Sequence, residues 1–402
     1  MKINTEKGAK PMELKDLVEQ IYDTAVTHRR WLHAHPEASG REKNTAAYIA
    51  DALRKIGLDP TENVGGYGVT ALIQGSRPGK CVGLRADFDA LNQQEETGLP
   101  FASRNPGVFH GCGHDMHTAM LLGVAQILYN LRDEMCGSVK LIFQPSEENV
   151  ADSGAKKMIA EGVLENPKVD VMLAQHMSPH YPTGTVALRS GPMSASSDRF
   201  AITVTGKSSH GSAPEDGVDA VVIGTQVISA LQSIVSRNVG PQESAVLTIG
   251  TVQAGTRYNI IPETCTMEGT CRTLNPEIQN ELPKRMENIT AGIVRGMGGS
   301  YTFSYTKGFS PIMNDPEQTT QMIDAATVLL GSDNVVLQDK ATMIGEDFSF
   351  YGQKVPAVFY WLGCRQTGAS FYPLHSSHFC PDETAMRTGI YVMLGAVITM
   401  LA

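Results

Sequence analysis

A chain of 402 residues, 42% hydrophobic and 19% charged, is ordinary globular material, long enough for two domains with cores of their own. Its net charge of -9 gives no electrostatic case for a nucleic-acid partner. The seven cysteines, odd in number and scattered from Cys81 to Cys380, do not form a disulfide framework and favour a reducing, cytoplasmic setting.

Residues 1–11 read as a disordered leader without the apolar core of a signal peptide. From Glu13 onward, Leu14, Leu17, Ile21 and Ala25 fall on one helical face, which predicts a helix ending before Pro36. A second helix is predicted over 45–56, with Gly57 as its stop. Short buried strands are predicted at 69–73 and 81–87, the latter ending in Arg85-Ala86-Asp87-Phe88-Asp89. Next comes His110-Gly111-Cys112-Gly113-His114-Asp115-Met116-His117, on a loop at the mouth of an amphipathic helix marked by Met120, Leu121, Val124, Ile127, Leu128 and Leu131. A strand at 139–143 ends in Gln144-Pro145-Ser146-Glu147-Glu148, a short helix covers 155–161, and a strand at 169–173 ends in Ala174-Gln175-His176. This alternation predicts an α/β fold with a largely parallel sheet. Asp87, Glu147, Glu148 and His176 all follow apolar runs, at the sheet edge where open α/β folds bind ligands.

The pattern changes near Ser190. Strands at 199–206, 245–252, 263–274 and 301–305 and helices at 217–237 and 278–295 follow in the order β-α-β-β-α-β, the split βαβ (ferredoxin-like) arrangement. We read 191–306 as an α+β domain inserted into a catalytic domain made of 1–190 and 307–402. The returning segment carries a helix at 317–330, a strand at 355–362, a polar loop and a final helix at 383–401. No run of about 18 or more apolar residues appears, so no segment is expected to span a membrane.

Three histidines, a cysteine and an aspartate within the octapeptide suit a borderline-soft divalent ion such as zinc, manganese or cobalt. Glu147 and Glu148, adjacent in an extended segment, are expected to point opposite ways, one carboxylate binding metal while its neighbour faces a metal-activated water. His176 is a further candidate ligand, and Asp87 is placed to orient a ligand histidine through its second N–H. His375 and His378 offer two more imidazoles, between which spacing alone does not choose. In the inserted domain His210, the polar turn Arg257-Tyr258-Asn259 and Arg272 are candidates for binding a carboxylate or an oxyanion. A Cys112 nucleophile with a histidine base is the competing chemistry.

Together these motifs resemble the metal-dependent aminoacylase and carboxypeptidase superfamily, most nearly its branch of hippurate hydrolases, N-acyl-amino-acid amidohydrolases and auxin-conjugate hydrolases. The resemblance runs from His33-Ala34-His35-Pro36-Glu37 through the polar string at Asp87, the octapeptide and Pro145-Ser146-Glu147-Glu148. It continues through His210-Gly211-Ser212-Ala213-Pro214, Asn259-Ile260-Ile261-Pro262, Gly345-Glu346-Asp347-Phe348 and Pro373-Leu374-His375. It implies two divalent metal ions per subunit, held by Cys112, His114, Glu148, His176 and His375, with Glu147 as general base and Asp87 supporting the site. It also implies that His210 is a lid histidine reaching the reaction centre, that Asn259 lies near the substrate's carboxylate, and that the inserted domain forms a homodimer. The implied substrate is an N-acyl amino acid, with dipeptides or acetylated intermediates as alternatives. Pro214-Glu215 departs from the usual pattern and is expected to alter the pocket rim, and the bulk and charge of Thr256-Arg257-Tyr258, where small residues are usual, are expected to reshape substrate preference.

Overall fold

The computed structural model describes residues 2–3, 12–368 and 370–401. Of the expected leader, only Lys2–Ile3 is described, paired antiparallel with Met12–Glu13; positions 1 and 4–11 lie outside the described residues. The chain divides into two compact units, one comprising Met1–Met193, Met313–Lys340 and Asp347–Ala402, the other Ser194–Ile312 and Ala341–Glu346.

The first unit is built on an eight-stranded sheet. Its strands in chain order are β1 (Thr61–Val64), β2 (Gly68–Gln74), β3 (Arg77–Asp87), β4 (Cys136–Gln144), β5 (Val171–Pro182), β6 (Val186–Leu188), β7 (Val335–Leu337) and β8 (Ala357–Arg365). They lie in the order β7-β6-β8-β5-β3-β4-β2-β1. The central four, β8-β5-β3-β4, are mutually parallel, while β6 on β8, β2 on β4 and β1 on β2 are antiparallel. The central strands are buried along most of their length, as parallel strands covered on both faces must be.

The longer helices of the unit are α1 (Leu14–Ala34), α2 (Lys43–Ile56), α3 (His114–Leu131), α4 (Gly154–Ala160), α5 (Pro316–Leu330) and α6 (Ala385–Leu401). α1 buries Leu14, Val18, Tyr22, Ala25 and Leu32, one stripe at helical spacing. α2 stops where expected, at Gly57, whose φ of 103° is left-handed. α3 departs from expectation twice. It is buried nearly all round, because α1, α2 and α6 pack on it as well as the sheet. It also starts at His114, so His114 and His117 sit in its first turn rather than on a loop. β5 departs too: it runs on to Pro182, which places His176 inside the strand, because β8 stays paired alongside it from Ala357↔Met172 to Arg365↔Pro182.

The second unit is a four-stranded antiparallel sheet in the order Ala245–Ala254, Thr264–Thr273, Ser197–Thr205, Ser300–Phe309. Phe200, Ile202 and Val204 alternate inward and meet Ile223, Val227 and Leu231 of the helix Ala220–Ser233 and Leu282, Met286 and Val294 of the helix Pro276–Gly296. The segment Ala220–Asn238 is long and apolar enough to cross a membrane by length and composition alone, although polar residues interrupt it throughout. Its inner face is a core face of this unit.

Candidate metal centre

Strand register assembles the site in the first unit. Asp87, the last residue of β3, is level with Gln144, the last of β4; Arg85 pairs Ala174, so His176 lies two residues further along β5 and faces Trp361 of β8. The loop before α3 delivers Cys112 to this edge. Gly113 makes that possible: its φ is 86°, and a Cβ there would stand 2.9 Å from Met177 Cγ. His375 arrives on the polar loop after β8, with φ of 65°, fixed by its own N–H donating to the Gly111 carbonyl at 2.8 Å.

These elements bring the donor atoms together. Cys112 Sγ lies 3.4 Å from His176 Nε2 and 3.3 Å from His375 Nε2, which is 3.0 Å from Glu148 Oε1. The donor atoms of His114, Glu147 and Glu148 lie within 4.8 Å of one another, as do those of Asp87, His114, His117 and His176. Both glutamates therefore face the cluster. The expectation that they point opposite ways fails because Ser146, at φ 54°, turns the chain and Glu147 and Glu148 form a bend, not an extended segment. Geometry also separates the two C-terminal imidazoles: His375 joins the cluster, while His378 Nδ1 contacts the Glu96 carbonyl at 2.9 Å.

The imidazoles are held from behind, which fixes their tautomers. His176 Nδ1 donates to the Met177 carbonyl at 2.8 Å and His114 Nδ1 to the Asp89 carbonyl at 2.9 Å, leaving both Nε2 atoms for the cluster. Among the described residues His114 Nε2 makes no hydrogen bond, with Asp87 Oδ2 3.5 Å away, and Glu148 Oε1 faces the other donors of the cluster. His117 is different. Its Nε2 accepts the Met177 N–H at 2.9 Å, so its Nδ1 donates to Asp87 at 2.6 Å and no lone pair remains for a metal. Asp87 thus orients His117, and it is Asp89 that orients His114, contrary to the role expected for Asp87.

The charge balance points to a cation. Asp87, Asp89 and Glu147 are buried, with Glu148 beside them. Burial opposes charge on His114, but the Asp87, Asp89 and Glu148 carboxylates outweigh it and raise its pKa to about 10. Burial, with Glu148, Glu147 and Asp87, pushes the Cys112 thiol well above its ordinary value. The cluster therefore retains protons that a divalent ion would displace, and its sulfur, nitrogen and carboxylate donors fit such an ion.

Comparison with known proteins agrees with this chemistry. Residues 83–399 match the model of peptidase family M20/M25/M40. The chain belongs to that family. It is 41% identical to the N-acyl-L-amino acid amidohydrolase of Geobacillus stearothermophilus, over 76% of this chain and 82% of that one. It is 39% identical to thermostable carboxypeptidase 1 of Saccharolobus solfataricus, over 94% of this chain and 95% of the other. Among solved structures, a Bacillus subtilis protein described as a dinuclear metal binding peptidase of the M20 family matches with a TM-score of 0.80 and 33% identity, covering 96% of this chain and 100% of that one. The chain is accordingly an amide-bond hydrolase with a metal-binding cluster.

Sequence reasoning missed several residues around this M20 cluster. Arg85 donates to Asp87 at 2.7 Å, Asp347 at 2.8 Å and Gln144 at 3.0 Å, and Asp347 also accepts from Ser153 at 2.8 Å. Asp115, next to His114, accepts from Arg29 at 3.0 Å and contacts His33 Nδ1 at 2.8 Å, tying α1 to the first turn of α3. The signal was present, since Arg85, Asp89, His33 and Asp347 all sit in the motifs that carry the resemblance. The remaining candidates belong to the second unit. Ser209–His210 pairs antiparallel with Ile260–Ile261, and the Gly211 N–H donates to the Asn259 carbonyl at 2.9 Å, so His210 and Asn259 are neighbours. His210 is exposed, with Nδ1 2.6 Å from Ser212 Oγ, and Asn259 Oδ1 has no partner among the described residues. Arg272 is partly buried and donates to the Met343 carbonyl at 3.1 Å.

Proposed function

We propose that this M20 hydrolase cleaves the amide bond of N-acyl amino acids with two divalent ions, zinc, manganese or cobalt, held by Cys112, His114, Glu148, His176 and His375. The observation that carries the reading is the convergence of these donors, the buried and unbonded His114 Nε2 among them, on a pocket crowded with carboxylates. Ions bound there would supply Lewis acidity to the scissile carbonyl and acidify water. Glu147, within 4.8 Å of His114 and Glu148 donor atoms, takes the proton of the attacking water and returns it to the leaving nitrogen. Asp87 supports the centre through His117. In the second unit, His210 is proposed as a donor to the developing oxyanion, and Asn259 and Arg272 as contacts for the substrate's carboxylate.

The name of the Geobacillus relative supports the N-acyl amino acid class, and that of the Saccharolobus relative makes dipeptides the second substrate to try. A thiol nucleophile is disfavoured: reactive cysteines have depressed pKa values, and Cys112 is shifted the other way. We also propose a homodimer through the second unit. The strand Ala245–Ala254 lies at the edge of its sheet and exposes Val246 and Val252, and Val222 is exposed on the helix Ala220–Ser233.

The test is a pair of isosteric changes. Glu147→Gln should keep metal bound while turnover of acetyl- and benzoyl-amino acids falls by roughly 10²-fold or more. Glu148→Gln should instead lower metal occupancy. The reverse pattern would exchange the two roles, and no hydrolysis of any N-acyl amino acid by the metal-loaded wild type would sink the substrate reading.

A further inference from the structure

Glu147 and Glu148 follow a turn at Ser146 that is held by hydrogen bonds from three directions. Ser146 adopts φ 54°, a conformation that a residue with a Cβ takes only when its surroundings impose it. Three ties impose it here. The Glu148 N–H donates to Asp89 Oδ2 at 3.0 Å. The Gly154 N–H donates to the Ser146 carbonyl at 3.2 Å, an approach that needs glycine because a Cβ at 154 would stand 1.8 Å from the Pro145 oxygen. The third tie takes the amide of the strained residue itself: the Ser146 N–H donates to Glu42 Oε1 at 2.8 Å, and its hydroxyl donates to the same oxygen at 3.2 Å.

Glu42 immediately precedes α2 and is fully buried, although it makes no side-chain cap to that helix. Its Oε2 has no hydrogen-bond partner among the described residues, and burial together with the neighbouring Asp89 carboxylate raises its pKa to about 7. A carboxyl buried beside another carboxylate is unfavourable for folding alone, even with the backbone N–H groups of Glu42, Gly40 and Ser146 turned towards it. What it provides is one well-placed acceptor oxygen behind the turn.

We propose that Glu42 is a positioning residue: its Oε1 holds Ser146 in the left-handed conformation and so aims Glu147 and Glu148 at the metal centre. The proposal rests on the reading of those two glutamates given above, but its geometry does not depend on the substrate.

The experiment compares Glu42→Ala, Glu42→Gln and the same alanine change in a Ser146→Gly background. Cobalt(II) affinity is measured by absorption titration of metal-free protein, and kcat and KM are measured on N-acetyl and N-benzoyl amino acids. Glu42→Ala should lower cobalt affinity and kcat by about 10–100-fold, with KM nearly constant. Glu42→Gln keeps a neutral acceptor oxygen and should restore both to within about threefold. Glycine takes a positive φ unaided, so with Ser146→Gly the alanine change should cost far less. No loss in Glu42→Ala overturns the proposal, as does a loss that neither Gln nor the glycine background relieves. If Glu42→Ala does not fold, Glu42→Met, which fills the volume without an acceptor, replaces it. Cobalt titration needs no substrate. A wild type inactive on every N-acyl amino acid would therefore sink the substrate reading while the affinity data decide the role of Glu42.

Discussion

The donors of the first unit and the candidates of the second are held in opposite ways. Cys112, His114 and His176 are buried, each histidine gives its second nitrogen to a backbone carbonyl, and Asp87 and Asp89 are locked by Arg85, Ser39 and the histidines. His210, by contrast, is exposed, and among the described residues its side chain is bonded only within its own turn; Tyr258 beside Asn259 is 96% exposed. A metal centre needs its donors fixed before the ion arrives, and burial with hydrogen bonds from behind does this. Groups that meet a substrate must stay accessible, and their order can be left to binding. The difference predicts that substitutions of the metal donors and of the groups that hold them disturb metal affinity and stability together, whereas those at the exposed turn disturb turnover alone.

Metal removal should have the largest effect. Chelator-treated protein should lose hydrolysis completely, melt at lower temperature because the crowded carboxylates lose their counter-ion, and recover both on addition of zinc, manganese or cobalt. Full activity in protein shown to be metal-free would break the comparison at its base. His210→Ala comes next: the proposed donor role predicts a fall in turnover on the order of 10²–10³ with metal content and melting temperature unchanged. A lowered melting temperature would show that the exposed histidine is structural after all. Asp89→Asn should lower metal affinity by about 10–100-fold, since it disturbs both the His114 ring and the Glu148 amide. Equilibrium dialysis reads this directly, and an unchanged affinity would leave the backbone carbonyl of residue 89 as the sufficient support for His114.

Much of this arrangement could be read from the sequence because strand periodicity and the chemistry at strand ends are local. The run ending in Asp87 and the run ending in Gln144 are strands that stop at the site edge, as expected. The β-α-β-β-α-β order of the second unit is also found, since Phe200, Ile202 and Val204 alternate and the helices start at the Asp219 and Asn275 caps. What escaped depends on partners far away in the chain. His176 lies within β5 because β8, some 185 residues later, extends the ladder. Glu147 and Glu148 face the same cluster because Ser146 is held by Glu42, 104 residues earlier. The strands Thr61–Val64, Val186–Leu188 and Val335–Leu337 are too short to show a period, and the antiparallel pairings at both margins of the sheet went with them.

The smallest expected effect lies in the second unit and concerns stability alone. Asp198 is buried, and its carboxylate accepts from Gln279 at 2.9 Å, Gly308 N–H at 3.0 Å and the Tyr305 hydroxyl at 2.8 Å. Burial raises its pKa, and these donors offset the shift only in part. The folded protein then keeps a proton at Asp198 to a higher pH than the unfolded chain does. The associated stabilisation is complete below the ordinary aspartate range and is lost as pH rises through the folded-state value. Asp198→Asn cannot titrate, yet its amide oxygen can still accept from Gln279 and Gly308. Denaturant midpoints of metal-free wild type and Asp198→Asn, compared from acid to neutral pH, should therefore converge toward acid and shift in favour of the asparagine variant as pH rises. A pH-independent difference would mean that Asp198 titrates alike in the folded and unfolded states, and that its three donors fully compensate its burial.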